Sequence, residues 1–173
     1  MTTARAFLRQ RASMTGNLNQ IIADVNRQLS RDVEDSGRFM TLFFCEIDRP
    51  SRIIHWVNAG HDPAFAFDPD GGNFEELAGH SLPLGVSEKA AYREFQRKIL
   101  PGQILLIGTD GIWESRNARG QMFGKDRFRQ IISAHARTTA IEILQAVNDE
   151  LNRFSHPLGK EDDVTLVVVK VES

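Results

Sequence analysis

One cysteine in 173 residues, Cys45, excludes an intramolecular disulfide framework. It stands inside the apolar run 39–47, where a thiol serves as a small buried hydrophobe rather than a nucleophile. No apolar run approaches the roughly 20 residues a membrane-crossing helix requires, and nothing resembles a secretory signal. Lys and Arg number 21 against 23 Asp and Glu, for a net charge of −2. The clustered basic excess of a nucleic-acid binder is therefore missing. The expectation is a cytoplasmic protein with no nucleic-acid partner and no membrane contact in this segment. Repeats, low-complexity tracts and an interior linker are also missing, so residues 1–173 read as one domain. An apolar share of 41% over that length is enough for one packed core.

The segment that organises the chain is Gly108-Thr109-Asp110-Gly111-Ile112-Trp113-Glu114. It follows the apolar run Gln103-Ile104-Leu105-Leu106-Ile107, which Pro101-Gly102 introduces as a short buried strand. Asp110 then sits where that strand leaves the core, and Gly111 allows a sharp bend or a close approach. An Asp-Gly pair serves equally as a plain turn, so a second carboxylate decides its meaning. Near the C-terminus Glu161-Asp162-Asp163 precedes Val164-Thr165-Leu166-Val167-Val168-Val169, a strongly β-prone run. If the two strands are antiparallel neighbours, the end of one and the start of the other share a rim of the sheet. Carboxylates gathered there repel each other unless protons or a cation intervene, and Mg²⁺ or Mn²⁺ takes such oxygen ligands. The alternative is a solvated loop at residues 160–163. Three acids abutting a buried strand favour the metal.

The remaining pattern gives the order helix, six strands, two helices, one strand. Ala4, Phe7, Leu8 and Ala12 mark a helix broken at Gly16-Asn17, and Leu18, Ile21, Ile22, Val25 and Leu29 continue it to about Arg31. Residues 35–37 are its exit loop. Residues 39–47 read as a strand covered on both faces and 52–58 as its hairpin partner. Residues 64–67 and 74–77 form a second hairpin, and 92–99 a half-exposed strand. Residues 114–125 are a polar surface excursion. Helices follow around Phe128, Ile131 and Ile132 and from Ala140 to Leu151, the last ending before Pro157. Segregated helices and mostly antiparallel strands imply an α+β layered sandwich.

With Asn58-Ala59-Gly60-His61, Ser81-Leu82-Pro83-Leu84-Gly85, Pro101-Gly102-Gln103, Thr109-Asp110-Gly111-Ile112-Trp113-Glu114, Met122-Phe123-Gly124 and Asp162-Asp163-Val164-Thr165 in this order, the chain resembles a known family. This is the bacterial sporulation-protein-E-like branch of the PPM family, metal-dependent serine/threonine protein phosphatases. The resemblance implies an α-β-β-α sandwich of two antiparallel sheets flanked by helices. It also implies hydrolysis of phosphoserine or phosphothreonine by water activated on paired Mg²⁺ or Mn²⁺ ions. It makes Asp110 and Asp162 metal ligands, Gly111 the residue that passes close to the metals, and Asp163 a supporting position. His61 falls in a family signature and reads as a loop histidine satisfied by hydrogen bonds.

Two family motifs have no counterpart here: a strand with Gly-Asp-aromatic-aromatic-Asp, and one ending Asp-x-Ser-Gly-His-Gly. Asp24, Asp32 and Asp35 have the wrong flanking residues to replace them. The expectation is a domain incomplete at its N-terminus and lacking its first strands, inactive as given. Its exposed strand edges would favour a homo-oligomer. The expected partner is a phosphorylated bacterial regulatory protein, such as an anti-sigma-factor antagonist. The competing readings are a phosphatase-like module that only binds a regulatory protein, and an unrelated Asp-rich hydrolase. The latter needs a local His/Asp cluster that the sequence lacks.

Overall fold

The computed structural model describes residues 2–34, 36–157 and 162–172. Met1, Asp35 and Glu161, which carry parts of the expected first helix, exit loop and acidic cluster, lie outside them. The described residues form helices α1 (Thr2–Ala12), α2 (Leu18–Val33), α3 (Lys125–His135) and α4 (Ala140–Ser155). Their strands are β1 (Leu42–Asp48), β2 (Ile53–Ala59), β3 (Ala64–Asp68), β4 (Asn73–Leu77), β5 (Phe95–Lys98), β6 (Ile104–Gly108) and β7 (Leu166–Lys170). The order matches the periodicity, with Gly16-Asn17 separating two helices rather than kinking one. No described helix is long and apolar enough to cross a membrane.

The strands make two antiparallel sheets, ordered β1-β2-β5 and β4-β3-β6-β7. Each belongs to its own compact unit: residues 1–63 with 78–99, and residues 64–77 with 100–173.

In the first unit the apolar stripe of α2 (Leu18, Ile21, Ile22, Val25, Leu29) packs with Val57, Ala59 and Leu84. The helix is held at its start by Glu94, whose Oε2 accepts the Leu18 N–H at 2.9 Å while Oε1 accepts His55 Nδ1–H at 3.0 Å. A carboxylate there meets the positive end of the helix dipole. Farther along α2, fully buried Asn26 accepts the Gly85 N–H at 3.0 Å and donates Nδ2–H to the Ser87 carbonyl at 2.9 Å. That side chain supplies the loop 85–88 with the partners its backbone lacks.

Strand β1 differs from its expected form. It begins at Leu42, because Met40 makes only a bridge to Leu84 and Phe39 is 63% exposed. It is half-buried rather than covered on both faces, since it lies at the sheet edge with β2 alone beside it among the described residues. Burial pushes the Cys45 thiol up from its ordinary value, which suits a packing role.

In the second unit α3 and α4 cover one sheet face, where Phe128, Ile132, Ile143, Val147 and Leu151 meet Phe65, Phe67, Ile104 and Leu106. Thr139 and Glu142 cap α4 reciprocally: the Glu142 N–H reaches Thr139 Oγ1 at 3.3 Å, and the Thr139 N–H reaches Glu142 Oε2 at 2.8 Å. The segment 114–125 is not wholly a surface excursion. Ser115 and Phe123 are buried, and Phe123 stacks edge-on against Phe154 at 5.4 Å between ring centroids.

Candidate functional site

Strands β6 and β7 are antiparallel neighbours with Gly108 opposite Leu166. The end of β6 and the approach to β7 therefore share one rim, as the acidic residues required. Thr109 ties the segments together. Its N–H donates to the Thr165 carbonyl at 3.1 Å, and its Oγ1 accepts the Thr165 N–H at 3.0 Å and donates to the Asp163 carbonyl at 3.3 Å. Side-chain and main-chain groups together thus replace a ladder rung beyond the strands' formal ends.

Gly111 lies against the same carbonyl. A Cβ built on it would stand 2.5 Å from the Asp163 oxygen, so no larger residue fits without movement. The close approach expected of Gly111 is thus to the neighbouring backbone. Asp163 contributes through that carbonyl.

The turn after Asp110 is helical in character, with Glu114 N–H donating to the Asp110 carbonyl at 2.9 Å. Ser115 Oγ–H donates to the Gly111 carbonyl at 2.6 Å. Inside the turn, Ile112 and Trp113 enter the core. Two apolar anchors thereby pin the turn and leave Asp110 exposed at the rim.

Asp110 Oδ1 accepts the N–H of Gly111 at 3.0 Å, and Asp162 Oδ1 accepts that of Asp163 at 2.7 Å. Each exposed carboxylate is steadied by its next amide and pairs with no cationic side chain among the described residues. A cleft of about 270 Å³ opens here, lined by Gly111, Glu114, Ser115, Arg116 and Asp162. The structure thus brings Gly111 and Asp162 to one cleft; Asp110 precedes Gly111 in the turn, and the Asp163 carbonyl lies against Gly111. Thr109, Ser115 and Arg116 were missed in the sequence. Thr109 stands in the Thr109–Glu114 motif without a role of its own, and Ser115 and Arg116 fall in the polar segment 114–125 that reads as surface.

The donor chemistry suits a hard divalent cation, which takes about six or more oxygens. Two carboxylates are part of such a shell, and among the described residues no group of three His, Cys, Asp or Glu side chains is arranged to hold a metal. Asp110 and Asp162 fit as a share of a ligand set, with the rest from water, substrate or other residues.

His61 behaves as a satisfied loop histidine. Its N–H donates to Asn58 Oδ1 at 2.9 Å, its carbonyl accepts Asn58 Nδ2–H at 2.8 Å, and its Nδ1–H reaches the Asp62 carbonyl at 2.7 Å. Gly60, at φ 71°, lies where an added Cβ would be 2.5 Å from Pro83 Cγ. The two signature loops therefore fit each other.

The profile of the family described as Stage II sporulation protein E (SpoIIE) matches residues 1–172. The chain belongs to the SpoIIE family. It is 26% identical over 152 residues to phosphoserine phosphatase RsbU of Bacillus subtilis (strain 168), covering 88% of this chain and 44% of that protein. It spans less than half the length of the curated relatives it matches. The SiaA-PP2C domain of Pseudomonas aeruginosa superposes with a TM-score of 0.86 at 22% identity, covering 99% of this chain and 68% of that one. The phosphatase domain of SpoIIE from Bacillus subtilis, presoaked with Mn, gives 0.64 at 19% identity over 98% and 73%. These likenesses establish that the SpoIIE-family chain has the PP2C phosphatase fold.

Proposed function

We propose that the chain is the PPM-type domain of a metal-dependent phosphatase that hydrolyses phosphoserine or phosphothreonine on a bacterial regulatory protein. The observation that carries this reading is the shared rim of β6 and β7, where the turn that follows Asp110 and Asp162 line one cleft. Asp110 and Asp162 would hold Mg²⁺ or Mn²⁺, which when bound supplies the charge that draws electrons from a phosphoryl group and acidifies water. Thr109 and Gly111 keep the two acidic segments in register, and the buried Ile112 and Trp113 hold the turn rigid. An anti-sigma-factor antagonist is a fitting substrate class. The open edge of β1 is a fitting place for association with a second copy, which light scattering at micromolar concentration tests.

The 173 residues alone are expected to show little turnover, because two carboxylates leave most of a cation's shell to weakly held water. The test is Mn²⁺-dependent hydrolysis of an aryl phosphate, comparing this chain with the protein at its full encoded length. The reading expects metal-dependent activity in the longer protein that Asp110→Ala abolishes. Activity indifferent to Mn²⁺ or to Asp110→Ala would overturn it. A second reading, a phosphatase-like module that only binds a regulatory protein, draws on the lack of a three-residue metal-binding group among the described residues. It expects partner binding without hydrolysis in the longer protein.

A further inference from the structure

Arg116 follows the acidic turn and has no part in the reading above beyond lining the cleft. Its Nη1–H donates to the Gly120 carbonyl at 2.9 Å, which fixes the guanidinium on a short hairpin bridged by Arg116 and Met122. Asn117 makes that hairpin stiff. Its Oδ1 accepts the N–H of Arg119 at 2.9 Å and of Gln121 at 3.0 Å, and its Nδ2–H reaches Gln121 Oε1 at 2.9 Å.

The other donors of Arg116 have no partner among the described residues, although Glu114 and Asp162 line the same cleft. Arg11, Arg31, Arg129 and Arg137, by contrast, each pair with a carboxylate. Of the polar side chains in the cleft, Glu114 and Asp162 are acids, and the Ser115 hydroxyl is committed to the Gly111 carbonyl. Arg116 is the cationic donor left facing whatever enters. A planar guanidinium on a rigid support suits the tetrahedral oxygens of a phosphate, which it can grip with two parallel hydrogen bonds.

We propose that Arg116 binds the phosphoryl group of the substrate in this cleft, beside Asp162. The inference rests on the phosphatase reading, and it adds a residue that orients a phosphate monoester. The two acids would repel a phosphate dianion by themselves. The guanidinium offsets that repulsion on the cleft's hairpin side.

The test is calorimetric titration of inorganic phosphate into the Mn²⁺-loaded protein at its full encoded length, with melting curves for each variant. Arg116→Ala should weaken phosphate binding about 10- to 100-fold, the range for losing charged hydrogen bonds, with Mn²⁺ affinity and melting temperature kept. Arg116→Lys should recover part of the loss, since it restores the charge without the fork. Unchanged phosphate affinity in Arg116→Ala would overturn the proposal, as would an unsubstituted protein that binds no phosphate. A loss that tracks a lowered melting temperature and is not relieved by lysine would show that Arg116 only braces the hairpin. Failure of the phosphatase reading is separate: the unsubstituted protein would bind phosphate yet hydrolyse no aryl phosphate.

Discussion

Residues 58–61 with 81–85 in the first unit, and 109–116 with 162–165 in the second, are both glycine-bearing pairs of segments at or beyond strand ends. Their polar groups meet different fates. In the first, Asn58 is 1% exposed and both ends of its amide are spent on His61, while Gly60 is filled by Pro83. In the second, the backbone is equally well tied by Thr109 and Gly111, yet the exposed Asp110 and Asp162 carboxylates accept only from their next amides, and half-buried Arg116 donates only to the Gly120 carbonyl among the described residues. The first pair of segments is scaffold. The second uses scaffold to hold charges that no cationic side chain among the described residues neutralises.

That contrast breaks most sharply at the acids. Asp110→Asn should reduce Mn²⁺ affinity by more than the roughly 10- to 100-fold that follows loss of a supporting partner. It should leave the metal-free melting temperature unchanged, because the side chain is exposed and an Asn Oδ1 can still accept the Gly111 N–H. Titration calorimetry and a thermal melt check both halves. Asn58→Ala is the converse. It strands two backbone groups and should cost about 2–3 kcal/mol in urea unfolding, with Mn²⁺ affinity kept.

Gly111→Ala joins the two effects. A methyl 2.5 Å from the Asp163 oxygen must push the two segments apart, which should cost about 1–3 kcal/mol. Mn²⁺ affinity should fall in parallel. A stable Gly111→Ala protein with full affinity would show that the close approach is incidental.

The smallest expected effect lies in the first unit's helices. Hydrogen bonding by Arg11 holds the Asp24 carboxyl below its ordinary value of 3.8, with Arg27 adding to the shift. A depressed carboxylate stabilises the fold above its ordinary value, and that contribution disappears as pH falls through the folded-state value. The pair is partly exposed, with the Asp24 side chain 40% accessible, so it is worth only about 0.2–1 kcal/mol. Asp24→Asn should lower stability by that amount at neutral pH. Once the pH falls below the folded-state value of Asp24 the two proteins should converge.

The sequence made the rim legible because two different signals coincided: apolar runs long enough for buried strands, and acids at the end of one and the start of the other. What it could not show was how the rim is built. Thr109 spends its hydroxyl on Thr165 and Asp163, residues more than 50 positions away, and no local pattern reports such a pairing. Nor does the sequence report that Gly111 lies against the Asp163 carbonyl. The polar segment 114–125, with Gly120 and Gly124, reads as surface, yet Phe123 within it is buried against Phe154. The apolar residues of strand β1 imply cover on both faces. Burial of such a run depends on neighbours, and at a sheet edge there is one.

A cation held jointly by Asp110 and Asp162, 52 positions apart, is the proposal on which the site depends. The most direct measurement is paramagnetic broadening of backbone amide signals in the isotope-labelled chain as substoichiometric Mn²⁺ is added. The amides of Gly111 and Ile112 should broaden together with those of Asp163 and Val164, and Asp110→Asn should relieve both sets. Broadening of one segment alone, or persistence of both in Asp110→Asn, would contradict a shared site.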